Sequence, residues 1–242
     1  MKKLISIFVP CAVLLLNCWS GFVNAAEEEL GFGGEAELGV VSTSGNTATR
    51  SINAKSKLRY LTETWRHEGR LEALRTSDSG ETTAERYLAS GKSDYNFTQA
   101  DYVFATVRYE KSRFSGYDYQ LSEAAGYGRR IINEKVLKLD LEIGAGGRHS
   151  RETGQARRQD EAMLRAAGKL LWEISPSTRL TEEILLETAR NNTYTESISA
   201  LSVRINSQFA LRLSFAAKHN SDVPAGVKKT DTLSAVTLVY DF

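Results

Sequence analysis

The stretch VLKLDLEIGAGGR, from Val136 to Arg148, decides the fold. Leu137, Leu139, Leu141, Ile143 and Ala145 occupy one parity, and Lys138, Asp140, Glu142, Gly144 and Arg148 the other. At 3.6 residues per turn these charges would encircle a helix, whereas a period of two sorts them onto opposite faces of a strand. The same alternation runs through FALRLSFAAKH, residues 209–219, where Phe209, Leu211, Leu213 and Phe215 alternate with Ala210, Arg212, Ser214 and Lys218.

Working outward, the pattern recurs along the chain. Ile52, Ala54, Leu58 and Tyr60 oppose Lys55, Lys57 and Arg59; Trp65, Gly69, Leu71 and Ala73 oppose Arg66, Glu68, Arg70 and Glu72. Val103, Ala105, Val107 and Tyr109 oppose Arg108 and Glu110, and Leu164, Ala166, Leu170 and Trp172 oppose Arg165, Lys169 and Glu173. The segment 178–190 is less regular, because Glu182 falls on its apolar face. Short connectors (Thr62–Thr64, Asn96–Ala100, Asn133–Lys135, Ser175–Ser177, Asn206–Gln208) alternate with more polar ones, expected to be longer, at Thr43–Asn46, Thr76–Thr83, Ser112–Tyr117, His149–Arg158, Arg190–Thr193 and His219–Lys229. About twelve strands of roughly 10–14 residues, joined alternately by short turns and longer loops, predict an all-β, transmembrane, antiparallel up-and-down β-barrel. Strands of that length exceed the usual globular five or six, which argues against a soluble sandwich or lipocalin-like barrel. Trp65, Trp172, Tyr60 and Tyr240 lie near strand ends, where an interfacial girdle belongs.

The first 25 residues read as a secretory signal peptide. Lys2 and Lys3 precede an apolar run broken by Pro10 and Asn17, and cleavage is expected between Ala25 and Ala26. The barrel is then expected over 26–242, leaving 242 − 25 = 217 residues. Both cysteines, Cys11 and Cys18, leave with the signal, and with them any disulfide or thiol chemistry. Lys+Arg falls to 31 − 2 = 29 against 30 Asp+Glu, a formal charge of −1 that gives no basis for nucleic-acid binding.

The face opposite the lipid is expected to line a lumen with Lys55, Lys57, Arg59, Arg66, Glu68, Arg70, Glu72, Arg108, Glu110, Lys138, Asp140, Glu142, Arg165, Lys169, Arg212 and Lys218, joined by Arg148 and Glu173. Two roles are open for it: salt bridges packing a narrow barrel, or a water-filled path whose charge selects small solutes. The packed, narrow lumen is the preferred reading. The final stretch TDTLSAVTLVYDF places Val236, Leu238, Tyr240 and Phe242 on the lipid face of a closing strand. That pattern resembles the signal read by the outer-membrane barrel assembly machinery, and the strand is expected to pair with the first, around Phe32 to Val41.

LGVVSTSGNTATRSINAKSKL (38–58), with its Ser-Gly-Asn-Thr turn, and KKTDTLSAVTLVYDF (228–242) together resemble the family of YdiY-like, salt-induced outer-membrane proteins. The resemblance spans the whole mature chain. It implies an outer-membrane barrel of a Gram-negative envelope, with unassigned activity, a link to salt stress, and no catalytic residues to transfer; the barrel is expected to be a monomer.

No cofactor is expected, and no enzyme motif emerges. His67, His149 and His219 lie on separate segments, and no HExxH, Gly-x-Ser-x-Gly or phosphate loop is present. His219-x-Ser221 distantly resembles an outer-membrane phospholipase pattern, but the glycine and arginine expected after the serine are missing, so a lipid hydrolase is the weakest alternative. The acids Asp78, Glu81 and Asp222 are too scattered for a calcium loop. Arg151, Arg157 and Arg158 are expected to face outward and to contact lipopolysaccharide phosphates.

Overall fold

A strand crossing hydrocarbon must pair every backbone N–H and C=O, and a sheet can do so only by closing on itself. The computed structural model, which describes residues 30–42, 49–112, 115–154, 158–224 and 226–242, meets that demand. Twelve strands follow in chain order: β1 (Gly31–Ser42), β2 (Thr49–Leu61), β3 (Trp65–Asp78), β4 (Glu81–Asn96), β5 (Asp101–Ser112), β6 (Tyr117–Asn133), β7 (Leu137–Glu152), β8 (Gln159–Ser175), β9 (Thr178–Ala189), β10 (Thr193–Arg204), β11 (Phe209–Asn220) and β12 (Thr230–Asp241). Each pairs antiparallel with its sequence neighbours, and β1 pairs with β12 to close the ring. A strand of 12 residues, the shortest here, rises about 30 Å at the usual tilt, enough to cross a bilayer core. The expected signal peptide, its Ala25/Ala26 cleavage site and the Ser-Gly-Asn-Thr turn lie outside the described residues.

Closure joins the two ends of the sheet. Gly34 and Phe242 exchange both backbone hydrogen bonds, at 2.7 and 3.0 Å. The register then runs Glu35↔Asp241, Ala36↔Tyr240, Glu37↔Val239 and Leu38↔Leu238. The Phe242 ring lies so close over Gly34 that a Cβ there would sit 2.8 Å from it and from the Lys57 carbonyl. Glycine is what lets the terminal aromatic seat on the seam.

The outer wall carries the large exposed apolar side chains: Val40, Leu71, Ile143, Leu164, Ile184, Leu213 and Val236 are each more than half exposed. At the end where the sheet begins and finishes, here the terminal rim, Tyr60 and Trp65 stack on His67, and Tyr240 stacks on Phe242. Val236, Leu238 and Tyr240 face outward as expected, and Glu182 does lie on the outer wall, between Leu180 and Ile184, accepting a hydrogen bond from Ser199 at 2.6 Å.

Two sequence expectations need correction. Strands reach 17 residues rather than stopping near 14. The connectors at the far rim are accordingly shorter: Thr76–Thr83 is a hairpin that turns through Ser79 and Gly80 alone, both at positive φ. Those are the backbone angles of a two-residue hairpin turn, and Gly80 reaches them without steric cost.

One wall is unusually thin. On β6 and β7, glycines replace side chains on the inward face, and a Cβ at Gly146 would stand 1.8 Å from the Glu123 carbonyl oxygen. Gly146→Ala should therefore fail to fold, losing the shift in gel mobility between boiled and unboiled samples, whereas Gly69→Ala, with nothing within 4 Å of its Cβ, should keep it.

Candidate functional site

The inward face carries sets of ion pairs. In a ring of twelve strands, β3 and β9 stand six places apart, as do β5 and β11, so each pair is diametrically opposed. Arg70 on β3 nevertheless reaches Glu183 on β9, with Nη2 3.3 Å from Oε2. Lys218 on β11 reaches Glu110 on β5, also at 3.3 Å. Side chains therefore cross the full width of the lumen.

The first crossing forms a belt about halfway along the strands. Lys57 bonds Glu68 at 3.0 Å, Glu68 faces Arg70 at 3.5 Å, and Glu183 also takes Lys169 at 3.1 Å. These side chains keep between 15% and 38% of their surface, so the belt is wetted. Nearer the far rim the second crossing is drier. Glu110 accepts from Arg86 at 3.0 Å and Arg108 at 2.5 Å, while Glu196 accepts from Arg108 at 3.3 Å and Lys218 at 3.2 Å. Arg86 also bonds Glu72, and the Tyr194 hydroxyl lies 2.9 Å from Arg108. Above them Arg148 on β7 and Glu187 on β9 pair at 3.2 Å with side chains 4% and 5% exposed.

Toward the terminal rim, Arg66 bridges Asp94 at 2.8 Å and Asp140 at 3.6 Å, and Glu142 takes Lys92, Arg165 at 2.8 Å and the Tyr102 hydroxyl at 2.9 Å. Tyr102 and Phe104 fill the space left by the inward glycines, and a Cβ at Gly128 would lie 2.3 Å from the Tyr102 ring. Lys92 and Arg165 sit over Phe104 at 5.5 and 5.0 Å, so aromatic faces also share the cationic charge. Arg212 holds Glu35 at 2.8 Å and Glu37 beside it, tying β11 across β12 to β1.

The structure thus gathers Lys57, Arg66, Glu68, Arg70, Glu72, Arg108, Glu110, Asp140, Glu142, Arg165, Lys169, Arg212 and Lys218 into inward ion-pair networks. Lys55 stands on the same face opposite Glu37 and Glu72. Arg59 and Lys138 share that parity close to the terminal rim, Arg59 being exposed. Glu173 pairs with Arg179 at 2.5 Å. Sequence reading missed Glu35, Glu37, Arg86, Lys92, Asp94, Glu183, Glu187 and Glu196. The even-numbered charges Arg86, Lys92 and Asp94, alternating with Tyr87, Gly91 and Tyr95, were the available signal for β4.

His219 and Ser221 are not brought together: His219 bonds Thr230 at 2.8 Å, and Ser221 bonds Asn192 at 3.3 Å. Arg151 and Arg158 pair with Asp118 and Asp160, and Arg157 lies outside the described residues. Asp78 and Glu81 flank the two-residue turn, away from Asp222. Among the described residues no group of three or more His, Cys, Asp or Glu is placed to hold a metal ion.

Residues 36–242 match the model of a family described as a protein of unknown function, DUF481. The chain belongs to the DUF481 family. It is 29% identical over 248 residues to the Escherichia coli K12 protein described as uncharacterized protein YdiY, covering 96% of this chain and 97% of that one, in line with the resemblance carried by the first turn and the last strand. Among solved structures, this DUF481 barrel is similar to the COG4313 outer-membrane channel of Pseudomonas putida F1, with TM-score 0.54, 14% identity, and 93% and 100% of the two chains covered. The NanC porin aligns with TM-score 0.50 at 9% identity, covering 87% and 98%. At these identities the likeness is one of fold: the DUF481 chain is built as outer-membrane barrels are.

Removing one partner of the driest pair strands a charge. Glu187→Ala leaves the Arg148 guanidinium buried and is expected to cost about 3 kcal/mol, read as a lower temperature for loss of the folded gel band. Glu187→Gln, which still offers Arg148 an acceptor, should recover part of it.

Proposed function

We propose that the protein is an outer-membrane barrel with an envelope-structural or stress-related role, its lumen narrowed and closed to all but the smallest ions by the ion pairs that cross it. One observation carries this reading: Arg70–Glu183 and Lys218–Glu110 join opposite walls at two separate heights. In this reading the short turns and both ends of the sheet face the periplasm, the far rim faces the exterior, and no bond-breaking chemistry is performed. Arg151 and Arg158, paired with Asp118 and Asp160 but about half exposed, would meet the phosphates of outer-leaflet lipopolysaccharide with their remaining N–H groups. The barrel acts as a monomer. A link to salt stress fits a plug made of charges, whose attraction weakens as the screening length falls from about 10 Å at 0.1 M salt to about 3 Å at 1 M.

A small-solute channel is the second reading, favoured by the wetted belt around Lys57, Glu68, Arg70 and Glu183, whose side chains keep enough solvent contact to rearrange. The similar Pseudomonas putida protein is itself described as a channel. Planar-bilayer recording separates the two. Wild type at low salt should show no steps or very small ones, and Arg108→Ala combined with Lys218→Ala should open severalfold larger ones. Large steps from wild type, unchanged in that variant, would favour the channel.

The assembly machinery is the proposed partner for the terminal strand. Deleting Phe242, which bonds Gly34 through its backbone, should reduce the amount of barrel reaching the outer membrane; normal insertion of the deleted protein would contradict this.

A further inference from the structure

Above the Arg148–Glu187 pair lies a cup of about 270 Å³ at the far rim, between the ends of β6–β10 and the segment after β11. Its floor is polar and fixed. Arg148 donates to the Asn192 and Glu187 carbonyls at 3.0 and 3.2 Å, and the Tyr117 hydroxyl donates to the Asp222 carbonyl at 3.4 Å. Tyr117, Arg148 and Asn192 are each at most 5% exposed. The built floor places a ceiling of unspent polar groups above itself: Gln120 and Arg190 line the cup, and neither side chain makes a hydrogen bond among the described residues.

We propose that this cup binds one neutral, hydroxyl-rich sugar unit. Three features select that chemistry. The volume lies just below that of pockets for drug-sized ligands and matches something of monosaccharide size. The lining sets Arg148 and Arg190 against Glu152, Glu161 and Asp222, a formal balance of −1 that disfavours anions. The amides of Gln120, Gln159 and Asn191 donate and accept at once, as sugar hydroxyls do, while a guanidinium and carboxylates facing one space meet adjacent hydroxyls from both sides. Asn191 and Gln159 are already oriented, donating to Glu161 at 2.6 Å and Glu152 at 2.9 Å, which lowers the cost of ordering on binding. The sugar could be free or the terminal unit of a longer glycan. Because the cup ends on the buried Arg148, binding there does not depend on whether the lumen beneath conducts.

The test uses the folded full-length mature barrel in a detergent without a sugar headgroup, titrated with glucose, galactose and mannose in turn, with maltotriose, and with galacturonate, read by saturation-transfer NMR. At least one neutral hexose should saturate. Maltotriose binding as well as free glucose would assign the site to the end of a glycan, and its exclusion would assign it to free sugar. Arg190→Ala should weaken binding about tenfold, the loss of one charge-assisted hydrogen bond, with unchanged gel mobility. Arg70→Ala, in the mid-lumen belt, should leave it intact. Absence of saturation by every neutral sugar, tighter binding of galacturonate, or unaltered affinity in both Arg190→Ala and Gln120→Ala would overturn the proposal.

Discussion

Backbone hydrogen bonding in an apolar slab is the constraint on which the rest of this molecule depends. Water cannot satisfy a strand's N–H and C=O groups there, so β1 must meet β12 and the sheet must be a ring. Once it is a ring, alternation does the remaining sorting: one parity of every strand meets lipid, the other meets the lumen. The seam shows how tightly closure is specified. Phe242 bonds Gly34 through both backbone groups, and only a glycine leaves room for its ring.

Inside that ring, charge replaces the hydrophobic core of a soluble protein. Isolated ions in the lumen would carry a desolvation cost, and in the crossing networks it is offset by opposite partners, as Glu110 and Glu196 are by Arg108 and Lys218. Exposure falls from the mid-lumen belt, through Glu110 and Glu196, to the nearly dry Arg148 and Glu187. The ion-pair network is therefore graded, most exposed where Arg70 meets Glu183 and driest beneath the far rim. The thin glycine wall of β6 and β7 belongs to the same design, since it makes room for Tyr102 and Phe104, whose faces stack under Arg66, Lys92 and Arg165.

Much of this was legible in the residues alone. A period of two in VLKLDLEIGAGGR and its counterparts is a local property, so strands, faces and the outward set Val236, Leu238 and Tyr240 could be read directly. Connector lengths were less legible, because Ser79-Gly80 turns in two residues inside a polar stretch that looks like a loop. Partners were not legible at all. Arg70 and Glu183 stand 113 positions apart, and only the closure of twelve strands makes them opposite. Glu183 itself was obscured by Glu182, whose outward carboxylate, bonded to Ser199, blurs the alternation of β9.

The central claim is that side chains, not loops, close the lumen. Its most direct test is the swelling of proteoliposomes in isotonic arabinose at low salt. The ion-paired lumen predicts a rate equal to that of protein-free vesicles. Swelling at the rate of a general-diffusion porin would contradict it.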